Sequence, residues 1–212
     1  MPILKSNPPA LCVSAFNAAL PGFLAGAGGL TGQAFAGAAP TIPTAAEIGS
    51  GFLASQQVFV LSLNDVINNP APTPVAAGWR FFAGDLHAPS NQTIIGRVVQ
   101  IPPSQTWKLV AVYYGEKARY EFMASDQLST LDVAQELAYD ARLLEVPGVN
   151  VRAFWLAGQS EGAIDYFVPY PAQTAQLVPA LRGTAPYSMA SFLAAIRPLA
   201  TQNLALAAGQ GA

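Results

Sequence analysis

A serine set between two glycines, one histidine and a scatter of carboxylates are the residues of this chain whose types and spacing suit chemistry. Gly158-Gln159-Ser160-Glu161-Gly162 has the G-x-S-x-G spacing of a nucleophile elbow, a strained strand-to-helix turn that exposes a serine for attack on an acyl carbon. Such a serine needs an imidazole to take its proton and an acid to orient that imidazole. The one histidine, His87, lies in Gly84-Asp85-Leu86-His87-Ala88-Pro89, where an extended chain puts Asp85 and His87 on the same side. Ser160 with His87, and with Asp85 or Asp165 as the acid, would make a small serine hydrolase. Two features argue against it. Elbow enzymes run serine, acid, histidine along the chain, and no histidine follows Ser160. Ile164 to Val168 also reads as a second strand rather than the required helix. A hairpin turn whose glycines supply φ > 0 explains the pentapeptide better, with His87 exposed in a polar loop, and we assign no catalytic residue.

Asp132, Glu136 and Asp140 stand at i, i+4 and i+8 in a stretch with helical periodicity, a row that could hold a hard cation such as calcium. They fall off the apolar stripe, so a solvated face is the preferred reading and no metal is expected. Tyr113, Tyr114, Lys117, Arg119 and Tyr120 gather around one expected hairpin, where aromatics and cations could stack a base or a sugar. The alternation of Lys117, Arg119 and Glu121 explains those charges as the wet side of a strand. Asn91-Gln92-Thr93 fits a glycosylation acceptor, a pattern frequent by chance. No phosphate loop, dinucleotide fingerprint, H-E-x-x-H or EF-hand spacing occurs, and no cofactor is expected.

The elements that must position these residues are built from an unusual composition. Of the 212 residues, only 10% are Asp, Glu, Lys or Arg, and 52% are hydrophobic. Ordinary soluble domains carry ~25% charge. A chain with so little has three common surroundings: a membrane, an assembly that buries its faces, or an exterior of small and amide side chains. The net charge of −2 offers no footprint for nucleic acid. Cys12 is the single cysteine, which excludes an intramolecular disulfide, zinc ribbons and iron–sulfur sites.

Charge is also absent from Ser6 to Ala46, a stretch dominated by Ala and Gly. We read residues 1–43 as a Gly/Ala-rich N-terminal arm and 44–212 as a single domain. As a leader peptide the arm is too long, is broken by Pro21 and is interleaved with Asn17, Thr31 and Gln33, so retention is expected. As a membrane span, Leu11 to Leu30 contains Pro21 and four glycines, although Gly22 and Gly26 form G-x-x-x-G. Packing on protein is preferred to lipid. Ordering such backbone costs roughly 1–2 kcal/mol per residue, so a partner surface must embrace the arm, and both chain termini are expected to be held.

Thr44-Ala45-Ala46-Glu47 suggests a capped helix from about Ala45 to Gln57, followed by a strand from Val58 to Leu63 and a Pro-rich loop from Asn68 to Pro74. Strands are expected at Gly78–Phe82, Thr93–Ile101, Trp107–Tyr114, Lys117–Met123, Val151–Ala157 and Ile164–Val168. Helices are expected at Leu131–Leu144, Ala172–Arg182 and Ser188–Ala208. This order implies an α+β fold, a mostly antiparallel sheet with helices packed on one face. The function expected is that of a structural subunit of a larger homo- or hetero-oligomer, such as a virion or filament protein in a virion or extracellular assembly. In it the arm packs on neighbouring subunits. The alternatives are the Ser160 hydrolase and a membrane-attached binding module.

Overall fold

The computed structural model describes residues 7–27, 52–84, 93–128, 131, 138–160, 162–170, 177–182 and 185–209. Strands β1 (Phe52–Val60), β2 (Val75–Ala83), β3 (Ile94–Ile101), β4 (Thr106–Tyr114), β5 (Tyr139–Val146), β6 (Val151–Gly158), β7 (Tyr166–Pro169) and β8 (Tyr187–Ser188) form a sheet in the order β4-β3-β2-β1-β5-β6-β7-β8. Helices α1 (Ala10–Ala27), α2 (Leu63–Asn68), α3 (Glu116–Gln127) and α4 (Met189–Gly209) accompany it. β1 and β5 run parallel, whereas β2–β3–β4 and β5–β6–β7–β8 are antiparallel. The protein is α+β. Its chain divides into two compact units, one of Met1–Leu4, Gln57–Ala77 and Gln127–Ala212, the other of Lys5–Gln56 and Gly78–Asp126.

In the second of these units, α1 lies on the β2–β4 meander of its own chain. Cys12, Phe16, Leu20 and Leu24 recur every four residues and are all buried, a narrow stripe that needs no charge elsewhere on the helix. Pro21 interrupts the backbone ladder but stands on the exposed side. Phe16 stacks on Phe81 with ring centroids 4.7 Å apart. That approach is possible because β3 carries Gly96 beneath it: a Cβ there would sit 2.4 Å from the Phe16 ring. The uncharged arm therefore contributes a helix to its own sheet through residue 27. Residues 1–6 and 28–43 lie outside the described residues, as do 210–212 at the other terminus.

On the opposite face of the same strands, α3 buries Ala118 and Phe122 against Ala54, Phe82 and Ile95. Helices thus take both faces of this meander, α1 on one and α3 on the other. The strand expected over Lys117–Met123 is part of α3. Its two-residue alternation is real but not what burial follows, since Ala118, Glu121 and Phe122 are buried at helical spacing while Tyr120 is 70% exposed. Good helix formers here (Glu, Lys, Ala, Arg, Met) outweigh an alternation only seven residues long.

Burial also fixes the chemistry of Cys12, whose thiol is pushed up to about 12 by loss of solvent. The native thiol is therefore protonated and slow towards alkylating reagents at neutral pH, with full labelling expected in urea. Above pH 9 the unfolded chain loses this proton before the folded one does, so native stability falls as pH rises towards 12. Urea titrations of wild type and Cys12→Ala at pH 8 and pH 10 should show a steeper alkaline loss for the wild type; equal losses would contradict the buried thiol.

In the other unit, β5–β8 and the latter part of β1 pack beneath α2 and α4. Phe192, Leu193, Ile196 and Ala200 of α4 enter a core with Leu144, Trp155 and Phe167. Ser62 and Asp65 form a capping box that starts α2, and Arg197 Nε donates to Val66 O at 3.0 Å to tie α4 to it. The helix expected over Leu131–Leu144 is corrected from Tyr139 onward, because Tyr139–Val146 is β5. Both faces of β5 are buried, which makes its Leu and Ala pattern nearly continuous and hides the period of two. Residues 132–137 lie outside the described residues, as do 172–176 of the helix expected over Ala172–Arg182; in its described part Pro179–Leu181 forms a 3-10 turn instead of an α-helix. Of the helix expected over Ala45–Gln57, residues 45–51 are likewise outside the description, and Phe52–Gln57 belongs to β1.

Candidate functional site

The G-x-S-x-G pentapeptide joins β6 to β7, two antiparallel neighbours in which Leu156 pairs with Tyr166. It is a strand-to-strand turn, not the strand-to-helix turn of a nucleophile elbow. Gly162 has φ 79°, and a Cβ on Gly158 would meet the Ala163 side chain at 2.4 Å, so both glycines serve the turn itself. Ser160 is exposed at the tip. Asp165 is turned inward: one carboxylate oxygen accepts from Gly158 N at 3.0 Å and the other from Trp155 Nε1 at 2.9 Å. Both oxygens of that candidate acid are thereby engaged in holding the hairpin closed. Asp85 and His87 lie outside the described residues.

Asp165 belongs instead to a cluster along one face of this unit. Arg142 on β5 is the direct cross-strand partner of Trp155 on β6. Its Nε donates to Asp140 Oδ2 at 2.7 Å, and its guanidinium carbon lies 4.7 Å from the Trp155 ring centroid and 5.1 Å from that of Phe59. The row expected from Asp132, Glu136 and Asp140 is not a solvated helical face at Asp140, which is buried on a strand and paired with Arg142. Asp132 and Glu136 lie outside the described residues. Among the described residues, no three His, Cys, Asp or Glu side chains come close enough to hold a metal ion.

A second polar cluster lies within the other unit, with Arg80, Glu121 and Gln56 buried. Arg80 on β2 donates through Nη1 to Glu121 of α3 at 2.8 Å and through Nη2 to Gln56 of β1 at 2.7 Å. Gln56 in turn donates to the Ser125 hydroxyl at 2.6 Å. Arg80 and Glu121 side chains are 4% and 9% exposed, so water does little to weaken their attraction. Neither residue was singled out from the sequence as a buried partner. The one available signal was a cation inside the apolar run Trp79-Arg80-Phe81-Phe82.

The aromatic and cationic group expected at one hairpin separates. Tyr114 packs with the α1 side of the meander, Tyr113 is half-exposed on β4, and Arg119 and Tyr120 stand on α3. The Lys117 side chain and Asn91 of the glycosylation pattern lie outside the described residues.

The surface feature that remains is the edge of the sheet. β4 (Thr106–Tyr114) pairs with β3 on one side and ends the strand order, so no second strand among the described residues pairs with it. The register slips between Arg97 and Val98, where Ala111 and Leu109 are their partners and Val110 is the extra residue. Val110 is 46% exposed. No family model, curated protein or solved structure matches this chain. No helix among the described residues is long and apolar enough to cross a membrane.

Proposed function

We propose that the chain is a structural subunit of a homo- or hetero-oligomeric assembly, of the kind that builds a virion or a filament. The observation that carries this reading is that β4 ends the strand order among the described residues and exposes Val110. Monomers usually blunt such an edge with charge, proline or a bulge. β4 has a bulge, but the residue it presents is an apolar valine, and Lys108 is the strand's one charge. Leu11, Tyr120 and Met123 add further exposed apolar surface in the same unit. With charged residues at 10% overall, such a surface is better suited to burial by a neighbour than to free solution. In this reading strand addition at β4 joins subunits, and the part of the arm beyond α1 contacts neighbours.

The test is solution mass by light scattering across a concentration series. The native chain should exceed its monomer mass of 22.1 kDa, and Val110→Lys should shift dissociation to at least tenfold higher concentration. A native chain that stays at monomer mass throughout the series would overturn the reading.

A further inference from the structure

We propose that Arg142 anchors a carboxylate-binding site in the unit that contains β5 to β8. Arg142 is held by a carboxylate and by two adjoining rings. Asp140 takes its Nε at 2.7 Å, and the Phe59 and Trp155 rings lie side by side against its guanidinium at 5.1 Å and 4.7 Å. The rings are themselves fixed: Trp155 Nε1 donates to Asp165, Phe59 meets Trp155 edge-on at 4.9 Å, and Trp155 stacks over Phe167 at 6.0 Å. A guanidinium has five N–H donors, of which this arrangement uses the one on Nε. The two terminal amino groups have no hydrogen-bond partner among the described residues, and the side chain is 24% exposed.

Most arginines on a surface lose rotamer freedom when they engage a ligand. Here that ordering is already present in the fold, and the planar fork is the geometry that matches a carboxylate with two parallel hydrogen bonds. Asp140 cancels the net charge of the pair, which removes the advantage a phosphate dianion would otherwise have over a singly charged carboxylate. The ligand class is thus a carboxylate, supplied either by a free small acid or by an acidic side chain of another copy of the chain. This site is independent of the β4 edge.

The experiment is nitrogen-15 NMR of the arginine side chains of the full chain, titrated with sodium acetate against sodium chloride at constant ionic strength and pH. The Arg142 Nε and Nη signals should move to saturation with acetate, with a smaller response to inorganic phosphate, while Arg152 and Arg197 serve as internal controls. Arg142→Lys keeps the charge but removes the fork, and the acetate response of the Trp155 indole N–H should disappear with it. A linear response shared by Arg142, Arg152 and Arg197 would overturn the site, and a stronger response to phosphate would overturn the carboxylate assignment. Because the wild-type titration decides these points, misfolding of the lysine variant would not protect the proposal. If Arg142 is already saturated without acetate and is released on dilution, the carboxylate comes from a second copy; acetate saturation at all protein concentrations identifies a free acid.

Discussion

Phe16→Ala should lower the unfolding free energy by about 3–5 kcal/mol, the usual cost of removing a buried phenylalanine ring. Phe16 is 1% exposed, stacks on Phe81 and lies directly over Gly96, so deletion empties a site walled by strand backbone that cannot collapse inward. Urea unfolding followed by tryptophan fluorescence checks this, with Leu11→Ala as a control: Leu11 is exposed on the same helix and its loss should be nearly neutral. A cost below about 1 kcal/mol for Phe16→Ala would show that α1 does not form part of this core. The same contact bears on how the assembly is tested. A chain beginning at Thr44 lacks α1 and uncovers Trp79, Phe81, Ile94 and Leu109, so its association would report exposed core rather than a lost arm. Substitution at Val110 avoids that confusion.

Glu121→Ala should be comparably severe, about 3–5 kcal/mol, because it leaves the Arg80 guanidinium buried without its carboxylate. The pair sits at 2.8 Å, almost wholly out of water, and Arg80 stands directly opposite Arg97 in the β2–β3 register. Like charges at such cross-strand positions oppose pairing, which makes the carboxylate from α3 more important to this sheet face. Replacing both partners, Arg80→Met with Glu121→Leu, should recover most of the loss, since an apolar pair of similar volume needs no desolvation of charge. A single and a double variant of equal stability would mean that the ion pair is not what holds α3 in place. The readout is again urea unfolding, and a double-mutant cycle isolates the coupling between the two residues.

How much of this was legible beforehand differs from element to element. Strands β2, β3, β4 and β6 were readable because β-branched and aromatic residues cluster between glycine and proline breaks, and those breaks are local events. α4 was readable from its length and from apolar residues at helical spacing, despite Pro198. The turn at Gly158–Gly162 was legible as a hairpin for the same local reason: its glycines answer to φ and to close approach, not to a distant partner. β5 and α3 were not. In β5 the alternation vanishes because both faces are covered, and in α3 a short alternating stretch imitates a strand.

By itself, then, the sequence determined the α+β class, the main antiparallel strands, the last helix, the hairpin that Ser160 occupies, and a shortage of surface charge. Each of these depends on neighbours a few residues apart. The tertiary structure alone decided that α1 folds onto its own meander, that Glu121 meets Arg80 from 41 residues away, and that Asp165 holds Trp155 and Gly158. It alone decided that Arg142 lies against rings contributed by β1 and β6. The physical reason is that a buried charge or ring is specified by whatever group burial brings opposite it, and that pairing is set by strand order and register rather than by any spacing along the chain.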